Sequence, residues 1–297
     1  MQELEKRLDM AFTKNLGVDI NSGFKDDING FKEKTILLDK TGRYNKLIKA
    51  LLTSKDRILF NSLVFEVFFA YDFESKGRPL EYEVNLLNNS NDTIDFLYTT
   101  KKGVLICFEL HQANQRKWLT DFTKDQLNSR GSYEIKLDDQ DEHEKIIRLQ
   151  NLIMSKCQGK KDKPRKFTQG IDIYNIIVVY VSGDIDRHID ESDCIRIMYG
   201  NPNVSSWARH KIIGLCQQLP DNAPEQFKCY YEKYKYFRET IHGVLFVKNA
   251  SRPTCYGDLV LELDLKYFSV GNSNLVDADK FSEICGEWQE VLKGWTE

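Results

Sequence analysis

No stretch of the chain approaches the ~18 consecutive apolar residues that a membrane-spanning helix requires, so no membrane partner is expected. The opening residues, MQELEKRLDM, are charged and lack the apolar segment of a signal peptide. The seven cysteines are widely and irregularly spaced, with no CxxC and no Cys/His zinc pattern. That excludes a disulfide framework and predicts reduced thiols in a cytoplasmic protein. A net charge of −3 offers no global electrostatic attraction for nucleic acid, so any such contact must come from local patches. There is no GxxxxGK(S/T) or GxGxxG to cradle a nucleotide phosphate, no GxSxG elbow and no HExxH. Internal repeats, low-complexity runs and Pro/Gly/Ser-rich linkers are also missing. One elaborated α/β domain is therefore predicted.

What is present centres on Thr93–Gln112, TIDFLYTTKKGVLICFELHQ. Two strands, Thr93–Thr100 and Val104–His111, flank a Lys101-Lys102-Gly103 turn in which Gly103 can take φ > 0. In such a hairpin Asp95 and Glu109 come side by side. Side chains alternate along a strand, so Glu109 and His111 share a face while Phe108 and Leu110 take the other. Buried carboxylates cost several kcal/mol each unless compensated, and a divalent cation is the natural compensator. Hard oxygen ligands suit Mg²⁺ or Mn²⁺.

Residues 1–56 read as a helical segment: a helix to Leu16, a loop with short ordered pieces over Val18–Thr41, and a helix over Tyr44–Leu52. Arg57–Ser75 is a strong helix whose inward stripe would be Leu59, Ser62/Leu63, Glu66, Phe69/Ala70 and Phe73. Glu66 lies within that stripe. It either snorkels to the helix edge, pairs with an arginine, or marks a functional site. Leu80–Leu87 alternates like a strand, giving helix and then an antiparallel meander. A helix over Lys117–Leu127 carries Gln126, and Glu142–Cys157 is amphipathic through Ile146, Ile147, Leu149, Leu152 and Ile153. Gly159–Lys166 is a basic loop. It is either a solvated surface or a phosphate-contacting arm through Lys160, Lys161, Lys163, Arg165 and Lys166. Ile173–Val181 reads as a strand buried on both faces and closes a core over residues 57–181.

Residues 182–297 read as an elaboration of the same domain. Helices are expected over Ser205–Leu219 and Pro224–Thr240, strands over His242–Asn249 and Leu259–Phe268, and a last helix over Asp277–Trp295. Tyrosines and lysines interleave over Lys228–Arg238, which suits base stacking but more often reflects core packing.

A helix with an inward Glu, a meander, Asp95 on its second strand and Glu109-Leu110-His111 on the next resembles the PD-(D/E)xK nuclease superfamily. The resemblance covers roughly Arg57–Val181. It implies a restriction-endonuclease-like mixed β-sheet flanked by helices, and Mg²⁺-dependent phosphodiester hydrolysis, with DNA as the expected partner in restriction, phage defence or repair. Asp95 would be the bridging metal ligand and Glu109 the second. His111 stands where the family carries a lysine, similar to what very-short-patch repair endonucleases show. A neutral imidazole there accepts a proton from water near pH 7. Glu66 would match the acidic residue of the first core helix, and Gln126 a glutamine of exonuclease-type branches. The alternative is an inactive nuclease-fold module that binds nucleic acid or protein. A homodimer or a protein partner is left open.

Overall fold

The structure is a computed structural model that describes residues 2–16, 25–86, 92–113, 126, 129, 139–157, 167–181, 189–201, 212–219, 223–249 and 265–294. Four helices come first: α1 (Gln2–Leu16), α2 (Lys25–Thr41), α3 (Asn45–Thr53) and α4 (Arg57–Ser75). Strands β1 (Glu81–Val84), β2 (Ile94–Thr99) and β3 (Leu105–Ala113) follow, then α5 (Asp139–Cys157), β4 (Ile173–Val181) and α6 (Glu191–Tyr199). The remainder is α7 (Glu225–Lys233), α8 (Lys235–Thr240), β5 (Gly243–Asn249), β6 (Leu265–Gly271), α9 (Ala278–Gln289) and β7 (Lys293–Gly294).

All seven strands join one mixed sheet in the order β1-β2-β3-β4-β5-β6-β7. The first three are antiparallel, β4 lies parallel to β3 and β5 parallel to β4, and β6 returns antiparallel. Helices cover both faces, so the central strands are apolar throughout: eight of the nine residues of β4 are buried. One face carries Phe96, Tyr98, Phe108, Leu110, Ile176 and Val178 against α4. Phe69 of α4 meets Phe73, Phe96 and Phe108 with ring centroids 5.0–5.6 Å apart, the tilted and edge-on geometry that aromatic quadrupoles favour. The other face carries Leu97, Cys107, Ile177 and Val179 against Ile146, Leu149 and Ile153 of α5.

Several expectations hold. The hairpin turn forms as read, with Gly103 at φ +81°. α4 spans Arg57–Ser75 and is capped by Asp56, whose side chain accepts from the Leu59 amide. Others are corrected. Lys25–Thr41, within the segment read as a loop, is a continuous helix, because Ile28, Phe31, Thr35 and Leu38 fall on one buried face. Asn29-Gly30 is carried inside it as a weak helical dipeptide, outweighed by that burial. The α4 stripe holds at Leu63, Phe69, Ala70 and Phe73 but not at Leu59, which is exposed, and the buried side is broader than read, taking in Phe60, Val64, Phe65 and Phe68.

Residues 212–219, read as helix, are an irregular segment. It docks on α6 through Leu215 N to Ile197 O (3.0 Å) and Cys216 N to Met198 O (2.7 Å). The Pro224–Thr240 helix breaks at Tyr234. Of the strand read over Leu259–Phe268, residues 259–264 lie outside the described residues and β6 covers Leu265–Gly271, while α9 stops at Gln289 so that Lys293–Gly294 pairs with β6. Most of Lys117–Leu127 and all of Lys160, Lys161, Lys163, Arg165 and Lys166 lie outside the described residues. Six cysteines are described, all as free thiols. No helix of the described residues is long and apolar enough to cross a membrane.

Candidate active site

The β2–β3 register pairs Phe96 with Phe108. Continued by one residue, it sets Asp95 opposite Glu109. Directly opposed residues of an antiparallel pair share a face, with Cβ atoms about 5 Å apart. The two acids are therefore neighbours on the α5 side of the sheet. Asp95 is held from below by the backbone, since its Oδ2 accepts from the Leu110 amide at 2.8 Å. Glu109 is fully buried.

Glu109 Oε1 accepts from Lys156 Nζ at 2.9 Å. Lys156 stands one residue before the end of α5, with a quarter of its side chain exposed. Burial pushes its ammonium down, but Glu109, Asp95 and Glu66 more than offset that, so its pKa is raised. It remains a cation at any physiological pH.

Glu66 comes from α4. Burial first, then the negative charges of Asp95 and Glu109, push its carboxyl up to about 8. Two groups pull the other way: the Tyr82 hydroxyl, which donates to Glu66 Oε2 at 2.9 Å, and the Lys156 ammonium. Tyr82 is on β1, paired with Phe96 next to Asp95. At neutral pH the cluster is a protonated Glu66, two further carboxyls and one ammonium, arranged where β1, β2 and β3 adjoin α4 and α5.

The four-residue constellation is thus brought together in part. Glu66, Asp95 and Glu109 share one electrostatic neighbourhood. His111 is partly buried on β3 and, two residues from Glu109, faces the same side. Gln126 is helical, and its carbonyl accepts from Ser129 Oγ at 3.2 Å. Two contributors escaped the sequence. Lys156 carried a signal, since it continues the inward α5 stripe at i+3 from Ile153 and i+7 from Leu149. Tyr82 carried only its strand alternation. Among the described residues, no group of three or more His, Cys, Asp or Glu side chains is arranged to hold a metal ion. Comparison of the chain with protein-family models, curated proteins and solved structures finds no match.

Proposed function

We propose that the protein is a Mg²⁺- or Mn²⁺-dependent nuclease that hydrolyses phosphodiester bonds, with DNA as the substrate. The observation that carries the reading is Asp95 facing Glu109 across β2 and β3, with both acids under a helix that contributes a lysine. The order α4, β1, β2, β3, α5, β4, with β4 parallel to β3, supports a restriction-endonuclease-like core.

The donor chemistry fits the ion. Mg²⁺ keeps several waters and needs only one or two protein carboxylates beside the substrate phosphate. Asp95 and Glu109 would hold it. Burial, with Asp95 and Glu109 adding to it, pushes the Glu66 carboxyl up to about 8, and the part due to those two acids is what a divalent cation would relieve. When bound, such an ion lowers the pKa of water and offsets charge on a phosphate. The Leu110 amide fixes the Asp95 carboxylate. The His111 imidazole, on the same face of β3 as Glu109, would orient or deprotonate the attacking water.

A second reading, an inactive nuclease-fold module, is favoured by one observation: the Lys156 ammonium already balances Glu109 without an ion. Cleavage separates the two. The full chain with Mg²⁺ or Mn²⁺ is incubated with single- and double-stranded DNA and RNA. The nuclease reading expects cleavage of DNA that Asp95→Ala abolishes with the fold intact by circular dichroism. A wild type that cuts none of these substrates with either ion overturns it in favour of the module.

A further inference from the structure

We propose that Lys156 is a working member of this site: its ammonium seats Glu109, weakens the hold on a divalent ion, and supplies positive charge to the phosphate being cut. This rests on the nuclease reading and deepens it. The chain sequence puts His111 on the same face as Glu109, and the fold adds a group from α5: Lys156 Nζ donates to Glu109 Oε1 at 2.9 Å. The pair is asymmetric. Glu109 is sealed, while the lysine side chain is a quarter exposed, so a ligand arriving from solvent meets the lysine first.

Stability alone does not account for the pair. A buried ion pair is commonly matched or bettered by apolar residues of similar volume. Three acids act on the one ammonium, Glu109 foremost, then Asp95 and Glu66. A cation in that position has two consequences of opposite sign. It repels a second cation that seeks Glu109, and it stabilises negative charge that grows on a bound phosphate. A neutral side chain that only docks α5 would have neither.

The test uses the full chain with Lys156→Met and Lys156→Arg, reading Mn²⁺ binding by calorimetry and DNA cleavage separately. The Met variant is expected to bind Mn²⁺ about tenfold tighter, as loss of one nearby charge implies, and to cleave at least about 100-fold more slowly. The Arg variant keeps both values near wild type. Weaker Mn²⁺ binding together with slower cleavage in the Met variant overturns the proposal, because it describes a strut whose loss collapses the site. Unchanged cleavage overturns it as well. If Lys156→Met fails to fold, Lys156→Gln, which keeps a donor for Glu109 without the charge, is read in the same way. An inert Asp95→Ala beside a fully active Lys156→Met removes the Lys156 assignment alone. An active Asp95→Ala removes the nuclease reading itself, and the Mn²⁺ measurement then still decides whether Lys156 opposes an ion.

Discussion

Tyr82 donates its hydroxyl hydrogen to Glu66 Oε2 at 2.9 Å, tying the first sheet strand to the long helix that covers it. The bond favours an ionised Glu66, yet burial and the negative charge of Asp95 dominate, and the carboxyl is pushed from 4.5 to about 8. Between those two values the unfolded chain gives up a proton that the folded chain keeps. Stability contributed by this group is complete below about pH 4.5 and drains away as the pH climbs to about 8. Glu66→Gln, which cannot ionise, lacks that drain. In urea unfolding with a chelator present, wild type is expected to lose roughly 3–4 kcal/mol more than Glu66→Gln between about pH 5 and about pH 8. Parallel pH profiles for the two proteins would mean that Glu66 is charged throughout.

How much of this was legible before folding depends on the range of the interaction. The hairpin, Asp95 beside Glu109, and the limits of α4 and β4 follow from period, turn chemistry and capping, which are local. Glu66 stood out because a carboxylate in an apolar helical stripe breaks the local rule. Lys156 did not, because its meaning depends on Glu109, 47 positions away in the chain. A lysine in its place on the α5 stripe is equally compatible with the ordinary snorkelling of a long side chain. Lys25–Thr41 was misjudged for a related reason: Asn29-Gly30 is a local turn signal, and the burial of Ile28, Phe31 and Leu38 that overrides it is tertiary.

Gly243 and Gly271 are register partners on β5 and β6, and the Phe281 ring lies over both. A Cβ built on Gly271 would come 2.8 Å from that ring, and one on Gly243 would come 2.6 Å from it. Both glycines are needed for close approach, since neither has the positive φ that would demand glycine on its own account. Gly271→Ala must push α9 off the sheet or strain the ring, at a cost of about 1–3 kcal/mol. Phe281→Leu in the same chain vacates part of the slot and should recover some of that loss, a coupling visible in a double-mutant cycle of urea midpoints. Strict additivity of the two substitutions would show that the ring and the glycine do not share the space.

The best-buried ion pair of the described residues links the helix that carries Lys156 to its neighbour. Lys145 Nζ on α5 lies 2.7 Å from Asp193 Oδ2 on α6, and both side chains are more than nine-tenths buried. Gln150, one turn further along α5, donates to the Ile197 and Ile213 carbonyls at 3.0 and 2.7 Å and so clamps the same helix to α6 and to the segment beyond it. Asp193→Ala strands the Lys145 ammonium, with only the desolvation penalty left, and is expected to cost about 3–5 kcal/mol by urea unfolding. Replacing both partners, Lys145→Met with Asp193→Leu, removes the stranded charge and should return most of the stability. If Asp193→Ala costs less than about 1 kcal/mol, the pair behaves as a surface bridge. In that case the rigidity of α5, and with it the fixed reach of Lys156 to Glu109, must come from the Gln150 hydrogen bonds and the apolar contacts of Ile146, Leu149 and Ile153.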